Sequence, residues 1–310
     1  MTDPAREGGR SPRLGIALGS GSARGWAHIG VLEGLLALGL EPQVIAGTSI
    51  GALVGAAYAA GRLEALKEWA LGLTRLEVLR LLDARLSGGL MRGNRVMDAL
   101  GKLLEERDIE SLPIPFGAVA TDMATGREIW LRKGSLLGSV RASSGIPGLF
   151  SPSRVDGSWL VDGGLVNPVP VSLCHALGAE LVIGVDLSAT RTIYHRAARG
   201  RLAPPHEEHG EASQLERLGA RIGGWFRSSE GDEDGQPGIL DVVGASLNIM
   251  QDRITRSRMV GEPPACVLAP QVESLELMDF HRAGEAIAAG RAAVQAAEAA
   301  LRRLLPGHRA

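Results

Sequence analysis

Residues 43–55, QVIAGTSIGALVG, change from a strand-like to a helix-like pattern within three positions. The apolar run ends at Gly47, and a run of small residues begins after Ser49. This is the G-x-S-x-G pattern between a strand and a helix, which places the serine on a sharp turn with its hydroxyl exposed. Glycines at 47 and 51 let two backbone segments approach closely, and the helix N-terminus offers free N–H groups to a developing negative charge. We therefore predict that Ser49 is a nucleophile on a turn formed by Gly47 and Gly51.

The residues before this turn show the same alternation of strand and helix. Residues 13–19, RLGIALG, read as a strand; residues 19–25, GSGSARG, read as a loop; and residues 26–39 have apolar residues at helical spacing. Such alternation predicts an α/β fold with a mainly parallel central sheet and helices on both faces. Further strands are predicted over 116–121, 128–131, 159–161, 180–187 and 266–269. Further helices are predicted over 94–106, 135–143, 172–177, 239–259 and 279–305, and residues 63–82 read as one or two helices.

Three segments are expected along the 310 residues. Residues 1–12 are polar and read as a disordered tail. Residues 13–305 are expected to form one catalytic domain. Within it, residues 188–238 contain paired prolines and an acidic run, and they read as a variable excursion. A loop of this length is either functional or disordered.

Composition excludes several classes of function. The chain is 45% hydrophobic and 22% charged with a net charge of −2, so it lacks the basic footprint of a nucleic-acid-binding protein. Its two cysteines are far apart in sequence, which argues against a disulfide framework or a zinc site. The N-terminal residues contain no apolar signal segment. We expect a cytoplasmic protein, with peripheral contact to the inner face of the membrane and homo-oligomerisation left open.

The loop over 19–25 has three interpretations. A dinucleotide site requires G-x-G-x-x-G and an acidic residue after the second strand, whereas this loop reads G-x-G-x-x-x-G and the second strand ends at Gly47-Thr48-Ser49. The second interpretation is an oxyanion hole, made by backbone N–H groups at a helix N-terminus beside the serine. In that case Arg24 pins the loop or complements negative charge. The third interpretation is a structural turn with a surface arginine.

A nucleophilic serine needs a base, and the histidines are unpromising. His28 lies inside the first predicted helix, where it reads as a packed or capping residue. Asp162 is the better candidate because it ends an apolar strand and precedes two glycines. Burial raises the pKa of a carboxyl group and makes it a more effective base. Taken in isolation, Asp162 is better read as an Asp-Gly turn.

Other charged residues are weaker candidates. Asp122 and Asp186 end strands and can be site acids, but a turn role is favoured for both. Arg253, Arg256 and Arg258 can meet phosphate, but a solvated helix face is favoured.

Taken together, these motifs resemble the patatin-like phospholipases. The resemblance is carried by GSGSARGWAHIGVL, GTSIG, ATDMATGREIW, SSGIPGLF, VDGGLVNPVP, QDRITRSRM and FHRAGEAI. It is greatest for the bacterial RssA branch, which is related to neuropathy target esterase. It covers about residues 13–290.

The resemblance implies a Ser–Asp dyad hydrolase of lipid acyl esters with no cofactor and no metal. Ser49 matches the nucleophile of the family, and Asp162 matches its aspartate. The oxyanion loop corresponds to Ser20, Gly21, Ser22 and Arg24. Many members have consecutive glycines where this chain has Ser20 and Ser22, and serine restricts φ. This departure keeps an alternative open, a regulatory or scaffold protein of the same fold with little turnover.

Overall fold

The structure is a computed structural model, and it describes residues 12–81, 93–147, 150–188 and 239–304. The predicted tail over 1–12 lies outside the described residues except for Pro12. The predicted excursion over 188–238 lies outside them except for Ser188. The domain boundaries therefore stay predictions.

Strands and helices alternate in the first part of the chain. The strands are β1 (Leu14–Leu18), β2 (Val44–Thr48), β3 (Phe116–Asp122), β4 (Glu128–Leu131), β5 (Ser153–Val155), β6 (Ser158–Asp162), β7 (Leu181–Val185) and β8 (Cys266–Leu268). The helices are α1 (Ala27–Ala37), α2 (Ile50–Ala59), α3 (Leu63–Leu71), α4 (Arg75–Leu81), α5 (Asn94–Leu104), α6 (Leu136–Ser143), α7 (Val171–Ala176), α8 (Ile239–Gly261) and α9 (Ala283–Leu304). Within the described ranges, every helix is too short or too polar to cross a bilayer.

The strands form one mixed sheet in the order β5-β6-β3-β2-β1-β7-β8, with β4 also paired to β3. Strands β3, β2, β1, β7 and β8 run parallel to one another. Strands β4 and β6 pair antiparallel to β3, and β5 pairs antiparallel to β6. The predicted mainly parallel sheet is confirmed.

Both faces of the sheet are buried under helices. Ile16 and Ile45 belong to the larger apolar cluster, which includes residues of α1, α2 and α9. Their neighbours Ala17 and Ala46 belong to a second cluster, which includes residues of α7. Because side chains alternate between the faces of a strand, strands buried on both faces read as continuous apolar runs. The predicted three-layer arrangement, with helices on both faces, is confirmed.

The pairing of β3 fixes where β6 ends. Ala120 pairs with both β4 and β6, so those two strands lie on opposite edges of β3. Val119 pairs with both β4 and β2, so β2 also lies opposite β4. Strand β6 therefore occupies the same edge of β3 as β2, and its C-terminal end lies next to the C-terminal end of β2. This places Asp162, the last residue of β6, just beyond Thr48 and next to Ser49.

Candidate active site

Ser49 lies on the turn between β2 and α2 in an unusual backbone conformation. Its φ is 58° and its ψ is −123°. Such a conformation costs about 1–3 kcal/mol and persists only where the surrounding structure enforces it. A Cβ on Gly47 would lie 2.5 Å from Ala52 Cα, and a Cβ on Gly51 would lie 2.2 Å from the Leu18 carbonyl oxygen. The chain can make this turn only because positions 47 and 51 carry no side chain.

The side chains of Ser49 and Asp162 meet in the interior of the protein. Ser49 Oγ donates a 2.6 Å hydrogen bond to Asp162 Oδ2. Ser49 is 2% exposed and Asp162 is 3% exposed. A nucleophile and its base need a separation of about 2.6–3.2 Å. The structure thus brings together the two residues that the sequence analysis named for these roles.

The second carboxylate oxygen of Asp162 is also held. Oδ1 accepts a 2.7 Å hydrogen bond from Gly164 N, in the turn that follows β6. Thr121 Oγ1 donates to the backbone carbonyl of Asp162 at 2.8 Å. Burial raises the pKa of Asp162 to about 6, although the hydrogen bonds from Ser49 and Gly164 act in the opposite direction. The carboxylate is therefore fixed in position and more basic than an aspartate in water.

Ser143, at the end of α6, orients the backbone of the turn. Ser143 Oγ accepts from Ser49 N at 2.8 Å and donates to the Val119 carbonyl at 2.6 Å. Ser143 is completely buried. From the sequence, Ser143 is predicted only as the end of a helix over 135–143 and as part of the SSGIPGLF segment, with no role at the site. No sequence signal we used connects a serine on α6 with the end of β2.

The loop over 19–25 runs beside this turn. Gly19 N donates to the Val185 carbonyl at 3.1 Å, and Ser20 N donates to the Pro168 carbonyl at 2.9 Å. Gly21 N and Ser22 N make no hydrogen bond within the described part of the chain. The same is true of Ile50 N and Gly51 N in the first turn of α2. Two pairs of N–H groups without a partner in the described ranges therefore lie on the turn after Ser49 and on the loop beside it.

Ser22 has a φ of 52°, in the left-handed region. Its hydroxyl donates a 2.6 Å hydrogen bond to the Leu277 carbonyl. Ala23 N donates to the same oxygen at 3.2 Å. The connection that contains Leu277 therefore holds the loop in this conformation.

Arg24 is buried, although one interpretation of the sequence made it a surface residue. Only 2% of it is exposed. Its Nε donates to the Gly21 carbonyl at 3.2 Å, and its terminal nitrogen donates to Asn248 Oδ1 at 2.9 Å. These contacts pin the loop to α8.

His28 is buried in α1 and contacts the same loop. Its Nε2 lies 2.7 Å from the Gly19 carbonyl oxygen, which can only accept, so the proton is on Nε2. Burial lowers the pKa of His28 to about 4, and the hydrogen bond to Gly19 opposes this shift only in part. His28 is therefore neutral at physiological pH and holds the loop, while Asp162 is the group that faces Ser49.

An apolar cleft begins at the residue after Ser49. It has a volume of about 440 Å³, part of it open to solvent. Its walls are four aromatic and seven aliphatic side chains: Trp26, Trp69, Phe150, Phe280, Ile50, Leu53, Leu73, Val78, Leu81, Val96 and Leu100. This lining suits an apolar chain, and Ile50, the residue after Ser49, forms part of it.

The other charged candidates lie outside this constellation. Asp122 Oδ1 accepts from the backbone of Ala124 and Thr125, and Asp186 Oδ1 accepts from the backbone of Ser188. Both aspartates therefore stabilise turns. Arg253 and Arg256 are exposed, as expected for a solvated helix face. Arg258 departs from that expectation because it forms an ion pair with Glu128 at 2.6 Å.

The fold and the site define a class: three-layer α/β proteins with a buried serine–aspartate pair at a strand-to-helix turn. The profile of the patatin-like phospholipase family matches residues 16–175. This match covers just over half of the 310 residues and includes both Ser49 and Asp162. The chain belongs to the patatin-like phospholipase family, and this membership supports a lipid acyl hydrolase.

Relatives of the chain point to the same family. An uncharacterized NTE family protein of Mycobacterium tuberculosis is 36% identical over 336 aligned residues, which cover 94% of this chain and 93% of the relative. The patatin-like phospholipase domain-containing protein 7 of Mus musculus is 33% identical over 185 residues, covering 57% of this chain and 14% of the relative. The crystal structure of VipD from Legionella pneumophila has a TM-score of 0.46 and 14% identity, covering 82% of this chain and 67% of that one.

Proposed function

We propose that this protein hydrolyses acyl esters of lipids, phospholipids or lysophospholipids, with Ser49 as the nucleophile and Asp162 as the base. The observation that carries this proposal is the buried 2.6 Å hydrogen bond from Ser49 Oγ to Asp162 Oδ2. A serine hydroxyl becomes an effective nucleophile when a positioned base can accept its proton. A carboxyl with a pKa of about 6 is mostly deprotonated at neutral pH and can serve as that base.

The reaction proceeds in two halves. Ser49 Oγ attacks the ester carbonyl carbon while its proton passes to Asp162, and a tetrahedral oxyanion forms. The intermediate collapses as the C–O bond to the alcohol breaks, and the proton on Asp162 goes to the leaving alkoxide. Water then attacks the acyl-serine ester, again giving its proton to Asp162. Collapse of the second intermediate releases the fatty acid and returns the proton to Ser49.

Backbone N–H groups are the oxyanion donors in this proposal. Those of Gly21 and Ser22 lie in the loop after β1, and those of Ile50 and Gly51 lie in the first turn of α2. None of the four has another acceptor in the described ranges. Losing one such donor typically costs about 10²–10³-fold in rate. Arg24, His28 and Ser22 Oγ act through the loop, since they bond the carbonyls of Gly21, Gly19 and Leu277.

The apolar cleft supports a lipid acyl chain as the substrate group. Ile50 and Leu53 line it, and both lie within the first turn after Ser49. Burying a methylene group gains about 0.8 kcal/mol, so a chain of several carbons gains substantial binding energy there.

The experiment compares Ser49→Ala and Asp162→Asn with the wild type in hydrolysis of p-nitrophenyl butyrate and in labelling by a fluorophosphonate probe. We expect wild-type labelling at Ser49, none in Ser49→Ala, and a loss of activity of about 10³-fold or more in each variant. Asp122→Asn is the matched control, because that aspartate stabilises a turn.

Two outcomes contradict the proposal. Full activity in both dyad variants would show that the chemistry occurs elsewhere. A folded wild-type protein that is neither labelled nor active would favour the alternative, a patatin-fold regulatory or scaffold protein.

A further inference from the structure

One face of α8 crosses the elements that form the candidate active site. Asn248, Gln251, Thr255 and Arg258 follow one another at spacings of three and four residues. Residues at these spacings share one side of a helix. We call these four residues the polar face of α8.

The N-terminal end of the polar face is anchored to the oxyanion loop. Asn248 Oδ1 accepts a 2.9 Å hydrogen bond from Arg24. Arg24 in turn donates to the Gly21 carbonyl at 3.2 Å. The position of α8 is therefore linked to the loop beside Ser49.

The C-terminal end is linked through Glu128 and Asn167 to Thr48, the last residue of β2. Arg258 donates to Glu128 Oε2 at 2.6 Å, and Asn167 Nδ2 donates to Glu128 Oε1 at 2.7 Å. Thr48 Oγ1, in the residue before Ser49, donates to the Asn167 carbonyl at 2.9 Å. With both ends held, the middle of the polar face lies against the turn after Asp162.

Gln251 lies between these anchors and points at the turn after Asp162. Its Nε2 is 2.5 Å from the point where a Cβ on Gly164 would stand. Asp162 Oδ1 is 2.9 Å from that point, and Ser20 Oγ is 3.0 Å from it. The amide, the carboxylate and the serine hydroxyl therefore pack closely against Gly164, which leaves room for them because it carries no side chain.

Two polar groups of this face lack partners in the described part of the chain. The Gln251 amide makes no hydrogen bond there, and Gln251 is partly exposed, so a ligand can reach it. Thr255 Oγ1 is buried and unpartnered as well. Most buried polar groups in folded proteins are hydrogen-bonded, so each exception calls for an explanation.

The surroundings of Ser49 have an apolar side and a polar side. The apolar cleft begins at Ile50, next to Ser49. Ser49 bonds to Asp162 Oδ2, while Asp162 Oδ1 bonds to Gly164, beside Gln251. An ester likewise has an apolar acyl side and an oxygen-bearing alcohol side.

We propose that Gln251 is a specificity-determining residue that donates a hydrogen bond to an oxygen on the alcohol part of the ester. This inference rests on the proposed function. The ligand group is an oxygen acceptor, which a glycerol moiety and a phosphate can both supply. An amide N–H donates to either.

The test compares Gln251→Met with the wild type on three esters: p-nitrophenyl butyrate, a monoacylglycerol and lysophosphatidylcholine. Methionine keeps the length of the side chain and removes the donor. We expect the ratio of kcat/KM for the lipid ester to kcat/KM for the p-nitrophenyl ester to fall about tenfold, the effect of one hydrogen bond to a polar or charged oxygen. Arg253→Ala, an exposed change on the same helix, should keep the wild-type ratio. Thermal unfolding of each variant verifies that it is folded.

The two lipid substrates distinguish the source of the acceptor. A fall in both ratios supports the proposal and assigns the acceptor to glycerol. A fall confined to lysophosphatidylcholine supports it and assigns the acceptor to phosphate. Ratios within twofold of wild type, including an equal loss on all three esters, overturn it.

A binding measurement keeps this test separate from turnover. In a Ser49→Ala background, ether-linked lysophosphatidylcholine has no ester to cleave, and adding Gln251→Met should weaken its binding about tenfold. Unchanged binding overturns the assignment of Gln251. Because this readout needs no catalysis, failure of the proposed function is recognised separately, by absent labelling of Ser49.

Discussion

Position 22 of the proposed oxyanion loop is a serine, where many family members have glycine, and it still adopts a left-handed conformation. At a φ of 52° a serine carries a cost of about 1–2 kcal/mol that glycine does not. Its hydroxyl bonds the Leu277 carbonyl at 2.6 Å, and glycine has no such group. The net value of a hydrogen bond is about 0.5–1.5 kcal/mol, similar to this cost. A serine at position 22 therefore has a higher conformational cost than glycine, and its hydrogen bond to Leu277 offsets a similar amount of free energy.

The carboxyl of Asp162 gives a prediction for the pH dependence of activity. Burial raises its pKa to about 6, and a protonated carboxyl cannot accept the proton of Ser49. We expect kcat/KM on p-nitrophenyl butyrate to fall about tenfold per pH unit below pH 6 and to reach a plateau above it. The measurement is a pH–rate profile from pH 4.5 to 8, with folding monitored at each point.

An apparent pKa near 4 in that profile would contradict this prediction, since it would mean that an ordinary aspartate limits the reaction. His28 cannot produce the limb at pH 6, because burial lowers its pKa to about 4.

At the scale of elements, we expect helices α2 and α5 to set the acyl preference of the proposed enzyme. Val96 of α5 and Leu53 of α2 both line the cleft. Val96 is only partly buried, so a larger side chain at this position can be accommodated with little strain. The Val96→Trp change therefore fills part of the cleft and leaves the turn around Ser49 in place.

We expect Val96→Trp to shift selectivity toward short acyl chains. Each methylene group that no longer fits costs about 0.8 kcal/mol, or about fourfold in kcat/KM. The measurement is the ratio of kcat/KM for p-nitrophenyl decanoate to that for p-nitrophenyl butyrate. Leu76→Trp, an exposed change on α4, serves as the control. A ratio equal to that of the control would show that the chain binds elsewhere.

The sequence predicted most elements, including the short strands β4 and β8. The apolar runs of β1, β2 and β7 and the periodicity of α1 and α9 were sufficient to predict these five elements. Strand β5 was missed, because Ser153–Val155 contains a single apolar residue and so has neither an apolar run nor an alternating pattern. Residues 63–82, predicted as one or two helices, contain two, with the break between Leu71 and Arg75.

The polar face of α8 was missed for a different physical reason. Polar residues at helical spacing ordinarily mark the side of a helix that faces water. In this protein Asn248 and Arg258 face other polar groups, Arg24 and Glu128, which belong to distant parts of the chain. Helical periodicity indicates that one face of a helix is polar, but it does not indicate which part of the protein packs against that face.

At the scale of the whole molecule, sheet topology assembles the candidate site. The loop after β1 and the turn after β2 meet because adjacent parallel strands bring their carboxyl ends to one edge of the sheet. The sequence could predict that meeting. Asp162 lies next to Ser49 because β6 pairs with β3 on the same edge as β2, beyond the last residue of β2. That choice of partner is a tertiary property, so the sequence named the residue without locating it.

Two buried groups give the whole protein opposite dependences of stability on pH. Burial lowers the pKa of His28 from 6.5 to about 4, so between these values the unfolded chain binds more protons and stability rises with pH. Burial raises the pKa of Asp162 from 3.8 to about 6, so between those values the folded chain binds more protons and stability falls with pH. Each shift corresponds to about 3 kcal/mol at most. The two slopes nearly cancel between pH 4 and 6.

We therefore expect each single variant to show a clear pH dependence of the free energy of unfolding, whereas in the wild type the two dependences nearly cancel. His28→Gln keeps a donor for the Gly19 carbonyl but does not titrate, so its free energy of unfolding should fall by about 2–3 kcal/mol from pH 4 to 6. Asp162→Asn should show a rise of similar size over the same range. The measurement is urea unfolding at half-unit pH intervals, and the double variant should match the weak dependence of the wild type. If the free energy of unfolding of Asp162→Asn instead has the same pH dependence as that of the wild type, Asp162 does not oppose the effect of His28, and the raised pKa of Asp162 is wrong.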